Sequence, residues 1–552
     1  MRDRGPVVVT LTGYFFRRFF ENDLIEASGD TLTTIVRALS ISAAPGLMLA
    51  FFMQNAYPGR GAWGRVEDHY FFVLYSMLVM AGVAIFEWEM LFPDKLDFLV
   101  LSPLPLRERE TLGAKACALG LFLGLFLFAT NVFGALMLPA VSKEHFWRQV
   151  VAHCLAVTCS GAFGALAVLA AGGLLICVLP ARAFRIISPM LQMLVVAVLG
   201  LLLVSYVRFG DSLDKTLQIP LGHASWVPSF WFLGLYECTM RGSAAAEFAT
   251  PMMWRGIWAI SIAFAVAAAT YPLAWARMRR MAIEGNAGMQ GRPAMSLNRL
   301  VAAVVPLAAC RAVTYFIGQT IARNSKYQVY LAMYCGTGLA LAVACAVTFV
   351  SSGDGLRPMA STAGLHAVMP LVLFWIIAGL RMAFGLPLNL PARWVFRVTG
   401  AEREACISAT RVWALVCGLA ALGLLLPILW AAGIGARGLL VQGVCGVSLC
   451  VVLVDGLLFA NHGIPFAHPR SPGKTSLPLM LTLFVGILPL FCLSMVRAEL
   501  WLERTPLWLS ATVVVVPIAH VAIGLLRKRS QARLEDGDEI EGEFQLLGLG
   551  VD

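Results

Sequence analysis

The stretch ACALGLFLGLFLFATNVFGALML, Ala116 to Leu138, carries no charged side chain and is long enough to cross a bilayer as one helix, which takes about 20 apolar residues. In water, a helix apolar on every face would have nothing to cover it. Comparable runs recur on both sides of it. A first group comprises Thr34 to Met53, Phe71 to Met90, Ala116 to Leu138, Val151 to Leu179, Ile186 to Val207 and Ile257 to Trp275. A second group comprises Val329 to Val350, Leu365 to Phe384, Val412 to Ala432, Leu439 to Ala460, Leu477 to Met495 and Leu507 to Leu526. Composition agrees: of 552 residues 59% are hydrophobic and 13% charged, with mean hydropathy +0.78, against about 25% charge in soluble domains. A water-soluble globular enzyme is excluded. The expected fold class is all-α, a polytopic membrane protein of about 12 transmembrane helices in two six-helix halves of parallel orientation.

The 42 Lys and Arg exceed the 32 Asp and Glu by a net charge of +10, which in a soluble protein would point to nucleic acid. Topology accounts for it here, and no nucleic-acid partner is expected. With the N-terminus inside, about 30 of the 42 fall on the cytoplasmic side and about 12 on the other, as the positive-inside rule requires. Arg277, Arg279 and Arg280 follow the sixth run, and Arg527, Lys528 and Arg529 follow the last. Both termini are therefore expected in the cytoplasm. The opening MRDRGPVVVTLTGYFFRRFF has neither an uninterrupted apolar core nor a small-residue cleavage site, so it reads as retained. The 13 Cys lie singly, with no CxxC pair, and read as small hydrophobes with no disulfide framework or metal site.

These runs divide the chain into 1–33, an amphipathic cytoplasmic segment; 34–280, the first six-helix unit; 281–328, a connector that includes the apolar stretch Leu300 to Cys310; 329–526, the second unit; and 527–552, an acidic tail. The halves read as a distant repeat. Tyr14-Phe15-Phe16 before the first run is answered by Tyr315-Phe316 before the seventh. Likewise FPDKLDFLVLSPLPLRERE is answered by LPLNLPARWVFRVTGAERE. Between Arg208 and Arg255 the aromatic segment SWVPSFWFLGLYE is too short to span; it is expected in or dipping into the outer interface, with Trp226, Trp231 and Tyr236 at headgroup level.

No enzyme motif stands out. SPGKTS, Ser471 to Ser476, ends like a phosphate loop, but His468 stands where that loop needs its first glycine. HExxH spacing and a close outer acidic pair are both missing from the sequence. Ionisable groups inside spans call for a functional hypothesis. Asp455, in VVLVDGLLFANHG, reads as a helix-packing or gating partner or as a proton or ion relay; His520 reads as a satisfied interior histidine. Glu87 and Glu89 lie near the inner end of the second run, within reach of water.

The segment Phe86 to Gly120, FEWEMLFPDKLDFLVLSPLPLRERETLGAKACALG, is the most informative for function. Leu96, Leu99, Val100 and Leu104 belong to a short helix-sized piece stopped by Pro103 and Pro105, with Asp94, Lys95, Asp97 and Arg107-Glu108-Arg109-Glu110 around it. Such an element can insert into a groove of a soluble partner, or lie on lipid as an interfacial anchor. Phe92-Pro93-Asp94 through Lys115 resembles the coupling-helix region of type-2 ABC exporter permeases, in particular a large bacterial, duplicated form. The family's six-span unit, its amphipathic segment before the first span and its re-entrant segment before the sixth are similar to Thr10 to Phe20 and Ser225 to Glu237.

The resemblance implies a bacterial inner-membrane subunit that sits on two copies of a separate ABC ATPase, alone or as a homodimer, and exports a substrate by alternating access. ATP and Mg would be held by that partner, not by this chain, which would not be an enzyme. Its coupling residues would be Asp94, Asp97, Leu99, Leu101, Pro103, Leu104, Pro105, Arg107, Glu108 and Arg109. A second coupling segment would contain Arg393, Arg397, Glu402 and Arg403, although Asn389 to Glu404 lacks the Leu-Pro-Leu core. Membrane lipid would surround the rest. The rival readings are an ion-coupled secondary transporter, encouraged by Asp455, and a membrane enzyme acting on lipid-linked substrate.

Overall fold

A computed structural model describes residues 5–20, 31–56, 59–92, 95–142 without 102, 145–283 apart from positions between 210 and 246, 305–386 without 306, 353 and 354, and 403–542 without 460–464 and 467–476. In hydrocarbon no water satisfies a backbone N–H or C=O, so a spanning segment must close its hydrogen bonds within itself. The apolar runs accordingly fold as helices, and ten among the described residues are long and apolar enough to cross a membrane. The chain is an all-α polytopic membrane protein.

Two compact units divide it, 1–292 with 349–357, and 293–348 with 358–552. Unit 1 contains α1 Gly5–Phe20, α2 Thr31–Ala56, α3 Ala62–Phe86, α4 Trp88–Leu91, α5 Lys95–Leu101, α6 Glu108–Ser142, α7 Phe146–Val178, α8 Ala181–Phe209, α9 Pro228–Arg241 and α10 Ala249–Ile283. The helices of unit 2 are α11 Ala308–Arg323, α12 Ser325–Ala346, α13 Thr362–Phe384, α14 Arg403–Ala431, α15 Ala436–Leu457, α16 Leu477–Arg504 and α17 Pro506–Gly542. The expected first and eleventh runs lie in α2 and α16, helices of 26 and 28 residues, parts of whose side chains fall outside the described residues.

Four boundaries depart from the hydropathy reading. Helix α3 starts at Ala62 rather than near Phe71, because the polar Asp68 and His69 are buried against partners instead of lying in water. It stops at Phe86, where Glu87 leaves helical geometry before the short α4. The seventh run breaks at Ala346: Val347–Ser352 forms β1 and pairs with β2, Gly355–Ala360, a hairpin that β-branched Val347, Thr348 and Val350 beside a Gly-Asp-Gly turn sequence favour. The twelfth run continues as helix through Gly542, into what reads as the acidic tail.

Among the ten described candidate spans, each unit's second expected span is the most enclosed there: 61% of the apolar window of α3 and 78% of that of α13 is buried. The packing of one unit recurs in the other. Helix α1 lies on α6 as α11 lies on α14; α3 packs on α7 as α13 on α15; α7 packs on α10 as α15 on α17. Two differences break the repeat. Helix α2 packs chiefly on α6 whereas α12 packs chiefly on α13, and no counterpart of α9 separates α16 from α17, which only Thr505 joins.

Small residues let these backbones approach, as in membrane helices generally. A Cβ on Gly164 of α7 would sit 2.7 Å from the Met77 carbonyl oxygen of α3, and one on Gly234 of α9 2.6 Å from that of Ala249. Neither neighbour is a flexible side-chain end. Gly164→Val is therefore expected to force α3 from α7 and lower the melting temperature of the detergent-solubilised protein, while Gly120→Val, with open space at its Cβ, should leave it unchanged.

Candidate functional site

The Pro-flanked segment between α3 and α6 folds as expected from its residues, and its geometry explains why it is held rigidly. After α4 the chain forms the seven-residue α5, which ends at Leu101 ahead of Pro103. Helix α6 then starts with half of a capping box, the Glu110 carboxylate accepting from the Arg107 backbone N–H at 3.1 Å, and the Thr111 hydroxyl donates back to the Arg107 carbonyl at 3.1 Å. One charge of the Arg-Glu-Arg-Glu run is thus spent on helix initiation. Another, Glu108, pairs with Arg279 of α10.

Asp97 is the anchor of α5. It is 3% exposed, and it is bonded by Lys115 Nζ of α6 at 3.5 Å and by the Arg18 guanidinium of α1. Lys115 is itself 1% exposed and lies 4.9 Å from the Phe15 ring centre and 5.5 Å from that of Phe19. Those aromatic faces add to its electrostatic stabilisation. Phe19 and Phe20 continue the contact by stacking on Phe122 and Phe126 of α6. On the other side Phe98 meets the Trp275 ring of α10 edge-on at 5.4 Å. Three helices from distant parts of unit 1 therefore grip one short helix.

The opposite face of the segment is bare. Val100 and Leu104 are 58% and 49% exposed, and Pro103, Pro105, Arg107, Glu108 and Arg109 are exposed with them. Leu101 is half-buried and borders, with Phe98, Leu104, Thr111, Trp275 and Arg279, an open cleft beside Asp97. Asp94 and the side chain of Leu99 lie outside the described residues, as do Arg393, Arg397, Glu402 and the side chains of Arg403 and Glu89.

The intramembrane polar residues resolve into pairs. Asp455, two residues from the end of α15, is bonded by the Arg411 guanidinium of α14 and by His520 Nδ1 of α17 at 2.7 Å. His520 is thus satisfied but not interior: its side chain is 43% exposed. Glu87 is buried at the end of α3. Among the described residues no cluster of His, Cys, Asp and Glu is arranged to hold a metal ion.

Hydropathy alone passed over other buried polar groups. His69 Nδ1 lies 2.8 Å from Glu237 of α9, and in unit 2 His366 Nδ1 lies 3.2 Å from Glu499 of α16. The signal was available in GRVEDHYF, where polar residues abut an apolar run without a turn. Tyr236 differs from its headgroup expectation, being fully buried and stacked 4.1 Å from His69, whereas Trp226 is 81% exposed. Trp231 is half-buried and donates to the Ser225 carbonyl at 2.8 Å.

Removing one member of a buried ion pair leaves the other without a counter-charge, at about 3 kcal/mol or more. Asp97→Ala should therefore lower the melting temperature clearly, and adding Lys115→Met should recover part of the loss; equal melting of the single and double variants would contradict the burial of Lys115. No protein-family model matches the sequence, and no curated protein and no solved structure is significantly similar to it.

Proposed function

We propose that the chain is the membrane permease subunit of an ATP-driven ABC exporter, moving its substrate by alternating access on energy supplied by separate ATPase subunits. The observation that carries this reading is α5: buried Asp97 fixes it to α1 and α6, while Val100 and Leu104 face outward uncovered. A force applied to the bare face is passed to α6 and α10 rather than absorbed by a loop. The partner would be a soluble ATPase in two copies that holds ATP and Mg. The α5 face would then lie in the cytoplasm, with both termini, and the membrane would be the bacterial inner membrane.

A second reading, an ion-coupled secondary transporter, draws on Asp455, which joins α14, α15 and α17 through charged groups. The pairing with Arg411 favours a structural or gating role for Asp455, because a fixed guanidinium already neutralises it.

Val100→Arg and Leu104→Arg place a charge on an apolar docking face without touching the core. Both variants should insert and melt like the wild type, and the ATPase activity that co-purifies with the chain from native membranes should fall at least about tenfold, equivalent to about 1.4 kcal/mol of docking energy. Undiminished co-purifying activity in both variants would contradict docking through α5. Transport that survives ATP depletion but not collapse of the ion gradient would favour the second reading.

A further inference from the structure

Each unit carries a histidine–carboxylate pair at the same place, near the start of its most enclosed span. In unit 1 His69 of α3 meets Glu237 of α9 at 2.8 Å, and in unit 2 His366 of α13 meets Glu499 of α16 at 3.2 Å. The two pairs differ one helical turn beyond the carboxylate. Arg241 follows Glu237 by four residues and bonds it, Nε to Oε2, at 3.1 Å. Four residues beyond Glu499 the chain has Glu503, of opposite charge.

A buried carboxylate is strongly disfavoured unless a positive group compensates it. Four other buried carboxylates follow that rule: Asp68 bonds Arg60 at 2.8 Å, Asp97 bonds Lys115 and Arg18, Glu237 bonds Arg241 and Asp455 bonds Arg411. Glu499 is 3% exposed, and among the described residues no lysine or arginine bonds it. Around the pair, α15 supplies Gln442, whose Nε2 lies 3.3 Å from His366 Nδ1, and the Cys445 thiol; α16 adds the negative Glu503. No charged side chain of α12 or α14, which also pack on α13, bonds either group among the described residues. Among the described residues, the group placed to supply a positive charge at Glu499 is the His366 imidazole.

We propose that the His366–Glu499 pair is a proton-binding site, and that in unit 1 the fixed guanidinium of Arg241 stands where unit 2 uses the proton. The ligand is a proton delivered by hydronium: one O–H bond of the hydronium breaks and releases water, and one imidazole N–H bond forms, which leaves an imidazolium beside the carboxylate. His366 keeps 10% of its side chain exposed, which gives the proton access. With the proton bound, α13 and α16 are joined by opposite charges; without it, the carboxylate keeps neutral hydrogen-bond partners but no counter-charge. The inference does not depend on whether ATP or an ion gradient drives the chain.

The test uses the full-length chain in liposomes. Its pH-difference infrared spectrum should contain a protonation signal that Glu499→Gln and His366→Gln both remove and that His69→Gln and Glu237→Gln leave in place. As pH rises and the proton departs, the wild type should lose melting temperature measurably. Glu503→Arg, which rebuilds the pattern of Glu237 and Arg241 at a half-buried position, should remove that alkaline loss. Should Glu499→Gln fail to fold, Glu503→Arg still decides. A protonation signal that persists in Glu499→Gln, or an alkaline loss unchanged in Glu503→Arg, would overturn the proposal.

Discussion

The buried charge of Asp97 is the constraint on which the geometry of unit 1 rests. A carboxylate in a low-dielectric interior has to be met by positive groups, and here they come from two other helices, Arg18 on α1 and Lys115 on α6. Satisfying one charge therefore fixes three elements. It also places α1: its aromatic side chains Phe15 and Phe19 cover the ammonium, and Phe20 stacks toward Phe126, so the N-terminal helix lies along α6 rather than on lipid alone. With α5 held from behind, Val100 and the following Leu104 stay uncovered, as the proposed docking requires.

The same logic of compensation distinguishes the two units. Their helices pack in a common pattern, with the second span innermost and the amphipathic leading helix laid on the third. Polar chemistry has been placed differently on that shared frame. Unit 1 neutralises Asp68, Asp97 and Glu237 with fixed cations and inserts α9 as an extra wall, closed by Tyr236 against His69. Unit 2 has no counterpart of α9 among the described residues; Glu499 is carried directly on α16 and meets a titratable histidine instead. Two units can thus share a packing pattern while their buried polar pairs differ.

The spans were legible because the bilayer allows one backbone solution, so an apolar run such as Ala116 to Leu138 already determines a helix. The amphipathic α1 and the Pro-stopped α5 were legible for a related reason, since local breakers and periodicity act over a few residues. What pairs with what was not. Arg18 and Asp97, His69 and Glu237, and Arg411 and Asp455 are far apart in the chain, and no local pattern encodes their meeting. Hydropathy also misplaced the start of α3, because it treats Asp68 and His69 as water-seeking when each is satisfied inside. The β1–β2 hairpin escaped because valine-rich sequence reads the same in a span as in a strand.

What covers Val100 of α5 and Leu104 just beyond it decides whether this segment couples to a partner. A photoreactive amino acid placed at Leu104 in native membranes, with the adduct identified by mass spectrometry, tests this directly. The account predicts a crosslink to a soluble nucleotide-binding ATPase, enhanced or weakened as the nucleotide is changed. Adducts confined to lipid, from a chain that is inserted and melts normally, would contradict it and reduce α5 to an interfacial anchor.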